Sequence, residues 1–269
     1  MKRKLISFAD SRLLGALKRV ARQAEELKFF DEVETFTEKE LGTDFRNAFS
    51  HILKRGVRGF GYWIWKPYII AKELEKIEEG DELYYIDAGC HLNPHGRDRL
   101  IEYAELLKKN ALGIAAFQLD SYCSERRFTK MDVLKMMGVE KDEKIVDSGQ
   151  MCATHVFVVK RESSVSFVRE WLKLSMTISH IDDSSSKCSN FPEFIEHRHD
   201  QSIFSILCKL KGAAAFPGIE TWPIDGKNWS LLIDFPIWDK RDLGITSHLV
   251  ERLKRKLHKK WLALIEKYR

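Results

Sequence analysis

Short apolar strands alternating with amphipathic helices predict an α/β fold, with one Rossmann-like domain and a mostly parallel central sheet flanked by helices. Three observations carry this expectation. Apolar blocks of strand length stand at 2–9, 83–86, 112–119 and 152–159. Apolar residues recur at three- and four-residue steps over 11–29, 97–109, 163–175 and 201–211. Each strand-like block precedes a helix-like one, the order that right-handed crossovers require. The 269 residues, 44% hydrophobic and 32% charged, suffice for one sizeable core.

Taken in order, residues 2–9 read as a buried strand and 11–29 as a helix with Leu13, Leu14, Leu17, Val20, Ala21, Ala24 and Leu27 on its apolar face. Residues 31–36 alternate as a second strand, and 41–58 read as helical up to a glycine-rich turn at 56–61. An aromatic, basic turn (Tyr62, Trp63, Trp65, Lys66, Pro67, Tyr68) opens a further helix that Glu79-Gly80-Asp81 closes. Strand 83–86 follows, then helix 97–109, strand 112–119 and a helix at 130–137 stopped by Gly138. Strand 152–159, helix 163–175, a polar loop at 182–190 and helix 201–211 come next. A loop-rich stretch to residue 242 ends in a basic amphipathic helix. The expected division is one α/β domain at 1–245 and that helix at 246–269.

The net charge of +5 is concentrated: 246–269 carries a local +6, leaving the remainder near −1. A nucleic-acid-binding core is therefore not expected. No apolar run approaches the roughly 20 residues of a membrane span, and residues 1–10 read as a first strand rather than a signal peptide. Five cysteines without close pairing suggest neither a disulfide framework nor a zinc site and fit a reducing cytoplasm. His197 and His199, two apart, lack the companions of a helical zinc motif. The first strand-to-helix turn, Ala9-Asp10-Ser11-Arg12, lacks the dinucleotide-binding glycine pattern.

Four constellations can carry chemistry. Asp87, at the carboxyl end of a buried strand and followed by Ala88-Gly89, stands where open α/β sheets place their ligand crevice; it reads as a cap for the next turn or as a nucleotide or metal contact. Asp147-Ser148-Gly149-Gln150 reads as a turn or as part of a sugar pocket. The polar run 196–202, with His199, Asp200 and Gln201, reads as a helix start or as a ligand contact. Trp222 and Lys227, within 221–229, read as an aromatic packing loop or as a mobile loop that closes a cation on phosphate.

In that order, Tyr85-Ile86-Asp87-Ala88-Gly89, Asp147-Ser148-Gly149-Gln150, His199-Asp200-Gln201 and Gly226-Lys227-Asn228-Trp229 resemble GT-A-fold glycosyltransferases of the family 8 type. The segment GYWIWKPYII is similar to bacterial polysaccharide and lipopolysaccharide glycosyltransferases. The resemblance covers roughly 2–235 and implies transfer of a sugar from a nucleoside diphosphate donor to a saccharide or glycolipid acceptor, in cell-surface polysaccharide synthesis. By resemblance, Asp200 and Gln201 are catalytic. Ala9, Asp10, Ser11, Lys66, Asp87, Ala88, Gly89, Ser148, Gly149, Gln150 and Lys227 bind the donor, while His199 and Trp222 meet the acceptor. A Mn²⁺ or Mg²⁺ ion would rest on Asp87, although the usual Asp-x-Asp is Asp-Ala-Gly here. Lys66, Lys227 or Arg58 could neutralise the diphosphate instead. A lipid-linked acceptor implies an anionic membrane partner for 246–269 and a peripheral place at the inner face. The reading from another class is an inactive relative that binds a nucleotide sugar or glycan.

Overall fold

The computed structural model describes residues 1–243, and the expected helix at 246–269 lies outside them. The strands are β1 (Arg3–Phe8), β2 (Glu32–Phe36), β3 (Glu82–Ile86), β4 (His91–Leu92), β5 (Ile114–Gln118), β6 (His155–Val159), β7 (Ala214–Pro217) and β8 (Ile237–Trp238). The long helices are α1 (Leu14–Leu27), α2 (Trp65–Lys76), α3 (Arg97–Lys109), α4 (Glu162–Ser175) and α5 (His199–Lys211).

Six strands form one sheet in the order β2-β1-β3-β6-β5-β7. β1 runs parallel to β2 and β3, and β5 runs parallel to β7. The sheet is mostly parallel, as expected, but β6 is antiparallel to both neighbours, β3 and β5. All five residues of β6 are buried. A strand covered on both faces is nearly all apolar, here with His155 the one exception, so its sequence carries no mark of its direction.

Successive side chains in a strand point to opposite faces. Leu83, Tyr85, Val156 and Val158 therefore join Trp65, Ile70, Trp171 and Phe204 in a core under α2, α4 and α5. Tyr84, Ile86, Phe157 and Val159 join Val20, Leu27, Tyr103 and Leu107 in a second core under α1 and α3. Each large apolar side chain so buried contributes about 1.5–3 kcal/mol relative to exposure.

Three expectations about elements need correction. The helix expected over 41–58 is confined to Thr43–Ala48. Beyond it residues 49–58 close in turns and bends, and Gly56 has φ +94°, which a right-handed helix cannot accommodate. Within the stretch read as loop-rich, β7 pairs with β5 at the sheet edge; four residues are too few to display a period. The same stretch supplies β8, whose Trp238 and Ile237 pair with His91 and Leu92 of β4. That small ribbon carries 237–242 back across the end of β3. Close approach requires glycine at 96, where a Cβ would lie 2.2 Å from the Phe235 carbonyl carbon. Among the described residues all five cysteines are free, and no helix is long and apolar enough to cross a membrane.

Candidate active site

The carboxyl ends of β1 and β3 lie side by side, and Ala9 packs with Ala88, Ala16 and Leu17 there. Asp87 follows β3 directly, its backbone N–H donating to Thr154 O at 2.9 Å. Lys66, in the first turn of α2, has a side chain only 3% exposed. Its ammonium donates to Ala153 O at 2.9 Å and lies 3.2 Å from Asp87 Oδ1 and 3.7 Å from Asp200 Oδ2. Tyr85, two residues before Asp87 and so on the same face of the strand, donates its hydroxyl to Asp87 Oδ1. The Lys66 ammonium also sits 5.1 Å from the centre of the Tyr85 ring.

Asp200 enters from the start of α5. His199, just before it, has φ +54°, and Trp171 Nε1 donates to Asp200 O at 3.1 Å. Asp200 Oδ2 is buried and accepts no hydrogen bond within the described residues. Two carboxylates thus share one ammonium. Burial pushes the Asp200 carboxyl up, Lys66 pulls it down and Asp87 pushes it up again, leaving it at about 7. Burial would lower the Lys66 ammonium, but Asp87 and Asp200 outweigh it and hold it above its ordinary value. The cluster is neutral with Asp200 protonated and singly negative once it ionises.

Behind Asp200, Gln201 Oε1 accepts from Ala153 N at 3.3 Å and its Nε2 donates to Gln150 Oε1 at 2.9 Å. Gln150 in turn donates to Glu125 Oε2 at 2.9 Å and to Thr129 Oγ1 at 3.0 Å. Lys209 balances the buried Glu125 at 2.8 Å. This network ties Gln201 to the N–H of Ala153, the residue whose carbonyl Lys66 grips.

The other residues singled out from sequence are dispersed around this centre. Asp10 binds Arg12 through both carboxylate oxygens, at 2.6 and 2.9 Å, and Ser11 donates to Glu38. Burial would raise the Asp10 carboxyl, but the Arg12 contacts hold it below its usual range. Gly89 O accepts from Asp242 N at 2.9 Å. Ser148 and Gly149 make structural contacts: Ser148 Oγ donates to Ile145 O, Ser148 O accepts from Lys209, Gly149 O accepts from Gln118 Nε2, and a Cβ on Gly149 would meet Leu119 O at 2.0 Å. Gln150 alone of that trio reaches the centre. His199 is buried, its ring against Tyr62 and Trp63 and its Nδ1 on Ile181 O at 2.6 Å; contact with an acceptor requires it to be uncovered. Lys227 stands in an exposed turn held by Asp225, and Trp222 packs edge-on against Trp229. Arg58 is paired with Asp183 and Glu196.

Sequence reading missed several groups. Tyr85 was legible in principle, since i and i+2 share a strand face. The Ala153 carbonyl carries no signal in its side chain. Arg19, which donates to the carbonyls of Ala88, Cys90 and Asp242, looks like any helix-surface arginine. Arg241, whose Cα would lie 3.3 Å from a Cβ at position 89, is brought there by β8. Its guanidinium lies 5.8 Å from the Trp222 ring centre. Two surface hollows of about 580 and 460 Å³ lie elsewhere, beside Glu79 and Arg169 and under the 183–190 loop. Neither is lined by Lys66, Asp87 or Asp200; buried charge rather than hollow size marks the site.

A Mn²⁺ or Mg²⁺ beside Asp87 calls for oxygen ligands, often from one or two carboxylates besides water and phosphate. Asp87 offers one carboxylate, with the Lys66 ammonium and the Tyr85 hydroxyl already on its Oδ1. The second acid position is Gly89, crowded by Arg241. This donor set does not fit such an ion, and Lys66 supplies a fixed positive charge there instead.

No protein-family model and no curated protein matches the chain. Among solved structures it is similar to a glycosyltransferase involved in glycosylation of the major capsid of PBCV-1, at 11% identity and TM-score 0.48, over 88% of this chain and 93% of that one. Mouse xyloside xylosyltransferase 1 aligns at 10% identity and TM-score 0.47, over 88% and 97% of the two chains. A galactosyltransferase complexed with donor and acceptor sugar analogues aligns at 14% and 0.41, over 81% and 74%. Likenesses this distant assign the chain neither activity nor ligand.

Proposed function

We propose that the chain is a glycosyltransferase that moves a sugar from a nucleoside diphosphate donor to a saccharide or lipid-linked acceptor in cell-surface polysaccharide synthesis. The observation that carries this reading is the meeting of Asp87, Lys66 and Asp200 at the carboxyl end of β3, in the residue order that resembles GT-A enzymes. Open sheets bind ligands at that end. Ala88 and Gly89 let a ligand approach the backbone, and Asp87 Oδ2, opposite the oxygen held by Lys66 and Tyr85, accepts from the donor ribose.

The chemistry assigned to the protein is positioning, charge stabilisation and exclusion of water. Asp200, ionised, faces the positive charge that develops on the sugar ring as the diphosphate departs. Arg241, exposed beside Gly89, and Lys227 on its turn are the cations placed to meet the leaving group, and Lys66 holds both carboxylates in place. A protein that only bound a nucleotide sugar gains nothing from an unbonded buried carboxylate oxygen such as Asp200 Oδ2. Turnover is therefore the favoured reading.

Asp87→Asn should lower kcat/KM for the nucleotide-sugar donor at least about tenfold, roughly 1.4 kcal/mol. A panel of donors, assayed for hydrolysis and transfer with and without Mn²⁺, measures this. Unchanged kinetics in a folded Asp87→Asn protein would remove Asp87 from the site.

The segment 246–269 is proposed as an amphipathic helix that docks the enzyme at the anionic inner face of a membrane, each basic residue adding about 1 kcal/mol. Truncation before Thr246 should abolish sedimentation with anionic vesicles and spare transfer to a soluble acceptor analogue. Failure of the full-length protein to bind such vesicles at low salt would end this proposal.

A further inference from the structure

A second cluster lies on the face of β6 opposite Val156 and Val158, beside the end of β3. His155, the first residue of β6, is fully buried and places Nε2 2.5 Å from Asp239 Oδ1. Cys90, 2% exposed, directs its Sγ at the same oxygen, at 3.3 Å. One ligand atom from each of the three residues lies within 4.8 Å of the others. Asp239 Oδ2 is held separately by the Thr221 hydroxyl at 3.2 Å.

We propose that Cys90, His155 and Asp239 form a binding site for a zinc-type divalent transition-metal ion. Sulfur, imidazole nitrogen and one carboxylate oxygen form the mixed donor set that zinc and its neighbours accept, and that magnesium and calcium do not favour. In a tetrahedral site the ligand atoms stand roughly 3.3–3.8 Å apart, so His155 and Asp239 need to separate by about 1 Å. Thr221 supports the carboxylate from behind, the usual second partner of a metal-binding acid. On binding, the Cys90 thiol gives up its proton to solvent and the sulfur–metal bond takes its place, while the His155 proton shared with Asp239 moves by exchange from Nε2 to Nδ1 so that the Nε2 lone pair meets the ion. Thiolate and carboxylate then neutralise the ion, which makes its burial affordable in charge. Three protein ligands leave a fourth position for water on the side of Asp239, whose side chain is 15% exposed while that of His155 is fully covered.

The site has a use independent of the sugar-transfer reading. Asp239 follows β8 and Cys90 follows Asp87-Ala88-Gly89, so an ion there clasps the 237–242 segment to the strand end that carries Asp87. Sequence gave no sign of it, because 149 positions separate Cys90 from Asp239.

The test uses full-length protein kept reduced with a phosphine and titrated with Co²⁺ and then Zn²⁺. The expected result is one Co²⁺ per chain with a thiolate-to-cobalt charge-transfer band, displaced by Zn²⁺, together with an upward shift of Tm in Zn²⁺. Cys90→Ala should abolish the band, and Asp239→Asn should weaken Zn²⁺ binding at least tenfold. Cys152→Ala, a buried thiol outside the trio, should leave both unchanged. Absence of a stoichiometric thiolate band in the folded protein, or a band that survives Cys90→Ala, overturns the proposal. Donor turnover plays no part in these readings, so their failure leaves the proposed transfer activity untouched.

Discussion

Lys66→Met should destabilise the protein by about 3–5 kcal/mol at pH 8, the cost of leaving a buried charge without its partner. Lys66 is the cation within reach of both Asp87 and Asp200, at 3.2 and 3.7 Å. Methionine fills much of the same volume, so the loss is electrostatic rather than a cavity. Without the ammonium, Asp200 loses the largest interaction that lowers its pKa, and Asp87 keeps the Tyr85 hydroxyl. The destabilisation should shrink toward pH 5, where Asp200 is protonated and a single carboxylate remains to be matched. Urea unfolding at the two pH values gives the difference directly from the shift in midpoint at constant m. Adding Asp200→Asn to Lys66→Met should recover part of the loss at pH 8, since the two substitutions touch one cluster and are not additive. A Lys66→Met protein as stable as the parent at pH 8 would show that the ammonium does not hold the two acids.

The second large effect concerns Asp200. With its carboxyl at about 7, kcat should rise with pH through neutrality and level off above it, provided the ionised form acts in transfer. Lys66 and Asp87 are the charged groups that face it, with the Tyr85 hydroxyl beside them on Asp87. Lys66 and the Tyr85 phenol are both held above their ordinary values, so neither loses its proton in this window and the limb belongs to Asp200. Asp200→Asn should lose about 10² or more in kcat and flatten the profile while donor binding persists. Stability moves in the opposite sense. The folded pKa lies above the unfolded value of 3.8, so between about pH 4 and 7 the folded protein binds the extra proton. Its contribution is present at low pH and is lost as pH rises toward 7. Asp200→Asn should therefore gain on the parent by a few kcal/mol, on the order of three pKa units at 1.36 kcal/mol each, as pH rises from 4 to 8. A substitution that leaves the pH–rate profile intact would remove Asp200 from the chemistry.

Much of the architecture is legible in the sequence. The helix at 97–109 coincides with α3, and the start of the strand at 83–86 falls one residue inside β3. These are long, strongly periodic or uniformly apolar segments bounded by glycine or charged turns, where local preference and tertiary burial agree. The expected helix at 41–58 failed where they disagree. Its apolar residues Phe45, Phe49 and Ile52 are buried as a helical face would be, yet most of the segment closes in turns.

The site was legible in part, for the same kind of reason. Asp87, Lys66 and Asp200 were all singled out, because an acid at a strand end, a lysine inside an aromatic turn and an acid opening an apolar helix are each out of place locally. Their meeting was not legible, nor was the burial that raises the Asp200 carboxyl. Ser148 and Gly149 looked equally out of place and turn out to tie their turn to neighbouring segments, with Gly149 pressed against the Leu119 carbonyl and Ser148 O on Lys209.

Sequence alone determined the alternating α/β order, the two-faced apolar strands and the placing of Asp87 at a strand's carboxyl end, because these depend on periodicities of a few residues. Tertiary structure alone decided the reversal of β6, the sharing of Lys66 between Asp87 and Asp200, and the assembly of Cys90, His155 and Asp239. Those depend on which distant segments pack together, and side-chain charge in water does not foretell its value once water is excluded.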